Sequence, residues 1–573
     1  MNFMVNSRIF NFKKYFMIAC LSSVSSLNYA TASTSLHSIN DKINFHRGEK
    51  TLKSSYPKKN TDEIAREVNY SKKNISSSFK PFIAKEIIIT FENQHEAVQS
   101  LLNQYIGVKI TEQELIAITN QVSSYYISKD YLFPQITIDK ESMKHSVLKI
   151  EVTAASFNNI IVLGDAKENR LIKSYAQKIS TSIPARKSVV QKYIALMNKI
   201  PGHRVSYNLL QNISKEHNDR VVADLVIYTS QKKLSVFTGI DNFGTKNYGK
   251  LQGIVSAELF NPFSSGDALM AHGFVSDHPK NLTDGGIGYK TLVNSFGSMV
   301  HFFVSHSKTK PRNNLPDNIY TGTGNNLRSY VTHPLFISAH KDLELEIGVT
   351  HKNLKNQTIN QIQSNEQVSR YNTGDIGLNY SFSDDLKGNN LLNLKYINSI
   401  SGKFTNYTNG RVPDKKFKIL KLNYKRDQII TEDISVFTHL TAINSNNYLP
   451  DSDKAALGGS EMGRGYNSSV LAGNKLLAGF IEARYTKKIE DSNIIDHLQP
   501  YLFIDTGHIS DKNISGTTKN LSSTGLGLRI KFLKRVDLGL EVAEPLKRTF
   551  LVNGEKVKSK TKFNIFLNKI FEF

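Results

Sequence analysis

The stretch Gly525-Leu526-Gly527-Leu528-Arg529-Ile530-Lys531-Phe532 places Leu526, Leu528, Ile530 and Phe532 on one face and Gly527, Arg529 and Lys531 on the other. Successive side chains of a β-strand point to opposite faces, so this period of two predicts a strand with one apolar and one polar side. Val536, Leu538, Leu540 and Val542 repeat the rule opposite Asp537, Gly539 and Glu541. In Leu476 to Tyr485, Leu477, Gly479, Ile481, Ala483 and Tyr485 oppose Glu482 and Arg484. About sixteen such segments lie between Lys233 and Phe573, separated by Gly, Asn, Asp and Lys.

Two architectures use strands of this kind. A soluble sandwich turns the apolar face inward, and a membrane barrel turns it to lipid around a wet lumen. Residues 233–573 allow about 21 residues per strand with its loop, which suits ten-residue spanning strands and exceeds one sandwich. No linker divides the region, and Phe571 and Phe573 continue the alternation to the carboxyl end. A sixteen-stranded antiparallel transmembrane barrel, closed by pairing the last strand with the first, is therefore expected. Tyr and Phe would supply the interfacial girdle, because the chain has no Trp.

Composition agrees with an exported protein. The chain has 573 residues, 25 Tyr and 31 Phe, and too many aromatics for disorder throughout. Its one cysteine, Cys20, excludes a disulfide scaffold and a cysteine-ligated metal site. Arg8, Lys13 and Lys14 precede a short apolar core, Tyr15 to Val24, and Ala30-Thr31-Ala32 offers a cleavage site, so residues 1–32 read as a secretory signal. Met17-Ile18-Ala19-Cys20 resembles a lipoprotein box only faintly. Residues 33–81 form a basic linker in which Thr61 caps a short helix through Val68. The net charge of +23 is read as linker and lumen lysines rather than a nucleic-acid surface.

Between linker and barrel the pattern changes. Glu86 to Thr90 reads as a strand, Glu96 to Tyr105 and Thr111 to Ile127 as helices, and Gln135 to Ile138 and Val147 to Val152 as strands. Thr111-Glu112-Gln113-Glu114 is a capping-box pattern. The same β-α-α-β-β order recurs in Asn159 to Leu163, Glu168 to Ile179, Ala185 to Lys199, Val205 to Leu210 and Val221 to Thr229. Two α+β modules, 82–154 and 155–232, are expected.

Two motifs lie in the barrel half. Leu457-Gly458-Gly459-Ser460-Glu461-Met462-Gly463-Arg464-Gly465-Tyr466 sits in a long connection, 445–475, and glycines let such a tip turn sharply. Phe503-Ile504-Asp505-Thr506-Gly507 lies in the next strand but one, with Phe503 and Asp505 on the lumen face. A lone buried carboxylate is costly, so a side-chain pair between Arg464 and Asp505 is expected.

These residues resemble the two-partner secretion transporters, the haemolysin activation/secretion proteins. The resemblance implies that Arg464-Gly465-Tyr466 tips a loop folded into the barrel and meets the strand motif Phe503, Asp505, Gly507. It implies that the modules are polypeptide-transport-associated (POTRA) domains. Ile240-Asp241-Asn242-Phe243-Gly244 with Asn261-Pro262-Phe263 and Gly266-Asp267 looks like the family's first barrel hairpin. Phe571 and Phe573 look like its insertion signal for the barrel assembly machinery. Gly463 stands where the family usually has valine and Asn568 where the signal has glycine, and no strongly amphipathic counterpart of the plug helix precedes residue 80.

The function expected is an outer-membrane pore of a Gram-negative bacterium that captures an unfolded, large β-rich exoprotein in the periplasm and passes it to the surface. Its partners would be that cargo and membrane lipid, with no cofactor and no nucleic acid. The runner-up is an outer-membrane protein insertion factor, which shares the motifs and usually carries more POTRA modules. A passive porin or receptor would not need the modules, and a surface adhesin is a further alternative. No G-x-S-x-G, P-loop, HExxH or dinucleotide fingerprint in a fitting context points to an enzyme or a metal site.

Overall fold

The structure is a computed structural model and describes residues 80–573 apart from 91–95, 154–155, 215–219, 313–317, 361–363, 408–411, 491, 512–516, 534 and 553. The signal, the linker up to residue 79 and the helix expected from Thr61 to Val68 lie outside the described residues. The chain divides into two compact units, one ending at Gln231 and one running from Lys232 to Phe573.

The larger unit is a closed antiparallel barrel of sixteen strands. Each strand pairs with its sequence neighbour, and the strand Lys562–Glu572 pairs with Leu234–Asp241 to close the ring. Phe571 lies opposite Val236, and the backbone of Phe573 still bonds: its N–H donates to Leu234 O at 2.9 Å and its C=O accepts from Lys233 N at 2.7 Å. Alternation runs through the wall. In Ile495–Ser510, Tyr501, Phe503 and Asp505 are buried, while Leu502 and Ile504 are 63% and 53% exposed on the outside. Leu477, Ile481 and Leu526 stand outside in the same way. Each such side chain costs about 1.5–3 kcal/mol when left in water, so a continuous belt of them calls for lipid. No helix among the described residues is long and apolar enough to cross a membrane; the strands make the crossing.

The two rims differ. Short turns, such as 430–433 between Lys418–Ile429 and Ile434–Asn444, share one rim with the start of the first barrel strand, Leu234, and the end of the last, Glu572. The opposite rim carries the long connections, among them 445–474. Four neighbouring strands, Asn318–Ile337, Lys341–Asn360, Ser364–Ser383 and Gly388–Thr405, are 18 to 20 residues long. A tilted strand needs only about 9–11 residues to span a bilayer. These four therefore rise past it as a tall wall on the long-loop side.

The smaller unit repeats one topology twice. In the first module Glu86–Thr90 pairs in parallel with Val147–Thr153, which pairs antiparallel with Gln135–Ile138. In the second, Ser156–Gly164 pairs in parallel with Arg220–Gln231, which pairs antiparallel with His203–Ser214. Helices Glu96–Leu102 and Glu112–Ser128 cover the first sheet, and Arg170–Ser180 and Lys187–Lys199 cover the second. Thr111 N donates to the Glu114 carboxylate at 3.0 Å, closing the capping box. Val98, Leu115, Ile118 and Val122 face Ile87 and Ile150 in the first core. A short helix, Lys140–Lys144, escapes the periodicity reading because it is only a turn and a half, capped by Asp139.

The modules are joined by a shared cap. Arg186 occupies the N-cap position of Lys187–Lys199 without a side-chain acceptor there. Asp130 of the first module supplies one: Ser188 N donates to its Oδ1 at 2.8 Å. Leu132 N donates to Ala185 O at 3.0 Å, and the Arg186 guanidinium stacks 3.7 Å from the Tyr131 ring centroid. Asp130→Ala removes the acceptor and costs this helix start about 1 kcal/mol, so amide exchange at Ser188 and Val189 should accelerate roughly fivefold. Unchanged exchange there would show that the junction does not depend on Asp130.

Candidate functional site: a loop clamped inside the barrel

The connection after Ile434–Asn444 turns into the lumen. Ala455–Leu457 and Leu471–Gly473 pair as a short hairpin that carries the tip. Gly458, Gly459 and Gly463 have φ of +108°, +109° and +77°, a region that side chains disfavour. Gly463 therefore suits the position before Arg464 sterically, where the related motif has valine. The hairpin tip bonds to itself, Gly458 N to Met462 O at 3.0 Å and Gly459 N to Gly463 O at 3.2 Å. It meets the wall through side chains.

Arg464 is the centre of those contacts and is 4% exposed. Its Nη1 donates to Glu482 Oε2 at 3.0 Å and to Glu541 Oε2 at 2.9 Å. The guanidinium lies between two rings, 4.4 Å from the Phe480 centroid and 4.3 Å from that of Phe503. Glu482 is fully buried and also accepts from Arg484 Nε and Arg529 Nη1, each at 2.6 Å. Glu541 also accepts from the Tyr501 hydroxyl at 3.0 Å and from Asn564 Nδ2 at 2.9 Å. The charges inside this cluster are arranged so that each carboxylate faces cations or neutral donors, as burial of charge requires.

The structure replaces the expected side-chain pair between Arg464 and Asp505 with a backbone contact. Asp505 accepts from the backbone N–H of Arg464 at 3.0 Å, not from its guanidinium. The register explains why. Asp505 stands directly opposite Ser523, whose N–H and hydroxyl donate to Oδ1 at 3.1 and 2.6 Å. The carboxylate is thus drawn against the wall, within reach of the loop backbone. The longer arginine extends past Phe503 to Glu482 and Glu541.

The remaining motif residues have steric and anchoring tasks. A Cβ on Gly465 would lie 2.7 Å from Pro545 N, so only glycine lets the tip approach that backbone. Gly465 N donates to Ser523 Oγ at 3.1 Å, and its C=O accepts from Ser559 Oγ at 2.8 Å. The Tyr466 hydroxyl donates to Ser522 O at 2.9 Å and accepts from Lys547 N at 3.0 Å. A Cβ on Gly507 would lie 2.5 Å from Leu457 Cδ1. The spacing Phe503, Asp505, Gly507 thus presents to the loop a ring for the guanidinium, an acceptor for its backbone and a gap for Leu457. Phe571 lies elsewhere, near the end of the closing strand Lys562–Glu572 at the turn rim, and Phe573 follows directly after it.

Glu482, Glu541, Arg529, Ser523 and Phe480 escaped the motif reading. Alternation alone places Glu482, Arg529 and Glu541 on inner faces. What was missing is height around the ring, which only the pairing supplies: Glu482 opposes Phe503, and Tyr501 opposes Gly527, which opposes Glu541.

This geometry separates two couplings. Arg464→Ala leaves Glu482 and Glu541 without their shared donor, and removing one partner of a buried pair costs about 3–5 kcal/mol, less where lumen water enters. Asp505→Ala strands N–H and hydroxyl donors, at about 1–3 kcal/mol. The Arg464→Ala chain keeps the N–H that Asp505 holds. Losses of loop docking in Arg464→Ala and Asp505→Ala should therefore be close to additive, while Arg464→Ala and Glu541→Gln should overlap strongly. Limited proteolysis of the loop in folded barrels measures both cycles, and strong overlap of Arg464 with Asp505 would contradict the contact pattern.

Residues 223–530 match the family described as Haemolysin secretion/activation protein ShlB/FhaC/HecB. The heme/hemopexin transporter protein HuxB of Haemophilus influenzae (strain 86-028NP) is 21% identical over 490 residues, covering 81% of this chain and 84% of its own length. Among solved structures, CdiB from Escherichia coli superposes with a TM-score of 0.68 at 15% identity, covering 95% of this chain and 100% of that one. CdiB from Acinetobacter baumannii gives 0.62 at 13% identity with the same coverages. The structures speak for the fold, and the family match spans more than half of the sequence. The chain belongs to the haemolysin secretion/activation protein family ShlB/FhaC/HecB, the outer-membrane transporters of two-partner secretion.

Proposed function

We propose that this outer-membrane transporter of a Gram-negative bacterium captures an unfolded, exported partner protein in the periplasm and conducts it through the barrel to the cell surface. The two β-α-α-β-β modules act as POTRA domains on the periplasmic side, the side of the short turns and of Leu234 where the barrel begins, and the long loops face outward. Each module's sheet has two edge strands. On the edge strand Ser156–Gly164, Ile161 and Leu163 are 45% and 43% exposed. Strand addition at such an edge gives backbone hydrogen bonds that do not depend on cargo sequence, with side-chain pockets adding selectivity.

The observation that carries the reading is the inward loop. It fills lumen space yet is joined to the wall through side chains, so it can leave without breaking the ladder that closes the barrel. An emptied lumen is lined by charged groups such as Glu482, Arg529 and Glu541 together with apolar side chains such as Phe437 and Phe480, a mixed surface that suits an extended polypeptide of varied sequence. The cargo is a large β-rich exoprotein, and its folding outside supplies direction. Phe571 and Phe573 form the terminal signal by which the barrel assembly machinery inserts the chain.

Removing residues 82–229 should leave a barrel that fractionates with the outer membrane and migrates heat-modifiably, but secretes no cargo. Cargo binding should follow the removed segment. Normal secretion by the truncated barrel would show that the modules are not receptors, and recovery of the full chain in the cytosol would remove the whole reading.

A further inference from the structure

The loop meets the barrel a second time, near its root and away from Arg464. Asp453 lies in the arm between Ile434–Asn444 and the hairpin strand Ala455–Leu457. Its Oδ1 accepts from Lys352 Nζ at 2.8 Å, and its Oδ2 accepts from the Tyr371 hydroxyl, which also meets Ser452 Oγ. Lys352 and Tyr371 are direct partners across the neighbouring strands Lys341–Asn360 and Ser364–Ser383. Just upstream, Leu449 is fully buried in an apolar cluster with Tyr371 and Phe417. Asp453 is 7% and Tyr371 1% exposed.

The two contacts stand at different heights. Lys352 lies beyond the roughly 9–11 residues that a strand starting at Lys341 needs to cross the bilayer. It is high on the tall wall, at the long-loop rim. Arg464 instead reaches Glu482, which opposes Phe437 near the turn end of its strand. A buried ion pair gives modest net stability but defines one arrangement, because either partner left alone is penalised. Nothing at the tip requires such a pair at the root.

We propose that Lys352, Tyr371 and Asp453 form a root anchor that positions the loop across the mouth of the pore independently of its tip. Release of Arg464 then swings the loop about a fixed root instead of expelling it. The purpose of this hinge rests on the transporter reading; its geometry does not. The three are positioning residues, distinct from the tip and strand motifs.

The test is ion conductance of the full-length chain in planar lipid bilayers, with heat-modifiable mobility confirming that each variant is folded. Arg464→Ala should stay nearer to the parent conductance than to that of a chain lacking residues 455–473. Arg464→Ala with Asp453→Ala should rise several-fold, to the loop-deleted level. Asp453→Glu in place of Asp453→Ala, which keeps a carboxylate facing Lys352 and Lys421, should bring the Arg464→Ala chain back down. Arg464→Ala alone at the loop-deleted level, or no added effect of Asp453→Ala, would overturn the anchor. A second arm joins Lys352→Cys to Asp453→Cys with a short bis-maleimide in a Cys20→Ser background. A hinge stays closed during transport, so the cross-linked chain should secrete within about twofold of the untreated one, and a loss beyond tenfold would overturn it. Conductance needs no cargo, so failure of the anchor is distinguishable from failure of the transport reading.

Discussion

A strand in lipid cannot leave a backbone N–H or C=O unpaired, since each would cost several kcal/mol with no water to satisfy it. Everything else in this protein is arranged around that constraint. The wall must close, so Lys562–Glu572 returns to Leu234–Asp241 and the pairing continues to the backbone of Phe573. Closure fixes which residues share a row. Side chains distant in sequence, such as Glu482 and Glu541, then come to one place in the lumen because the register leaves no choice.

That shared row explains the composition of the clamp. The lumen face of the ring around the loop mixes charge with apolar side chains, Glu482 and Glu541 beside Phe437, Leu476 and Phe480, so a loop entering it must bring both chemistries. Arg464 suits this because a guanidinium offers several donors in one plane and flat faces to stack, here on Phe480 and Phe503 while reaching Glu482 and Glu541. Lysine has one compact charge and would forgo the stacking. Gly465 and Gly507 complete the fit by having no side chain where Pro545 and Leu457 come close.

Much of this was legible in the sequence, and for definite reasons. The period of two in 525–532 and 536–542 reflects two solvents on two sides of a wall, and the strands Asn520–Phe532 and Val536–Pro545 follow it. The repeated modules were legible because helix and strand periods alternate and Thr111 to Glu114 marks a cap. The inward face of Asp505 followed from alternation as well. What stayed hidden is relational. A carboxylate partner for Arg464 was inferred from the nearest motif, but Asp505 is already taken by Ser523. Glu482, Glu541 and the Asp130 cap of a helix in the next module depend on pairing and docking, which one-dimensional periodicity does not carry.

The polar centre of the clamp answers a requirement that its apolar surround does not. Apolar residues of similar volume often stabilise a fold as well as or better than a buried ion cluster. A wholly apolar clamp that opened, however, would present still more apolar surface to an unfolded chain in transit. When Arg464 withdraws, Glu482 keeps Arg484 and Arg529, and Glu541 keeps Tyr501 and Asn564. The remaining charges are partly matched and can take up lumen water, so the open state is less costly than the loss of a buried partner would be in a dry core. The ion cluster therefore fixes the closed loop and leaves a partly matched, wettable patch behind it, while Leu457, Met462, Tyr466, Val470 and Leu471 of the loop hold their place by packing against Phe437, Leu476, Phe480, Ile509 and Leu521 of the wall.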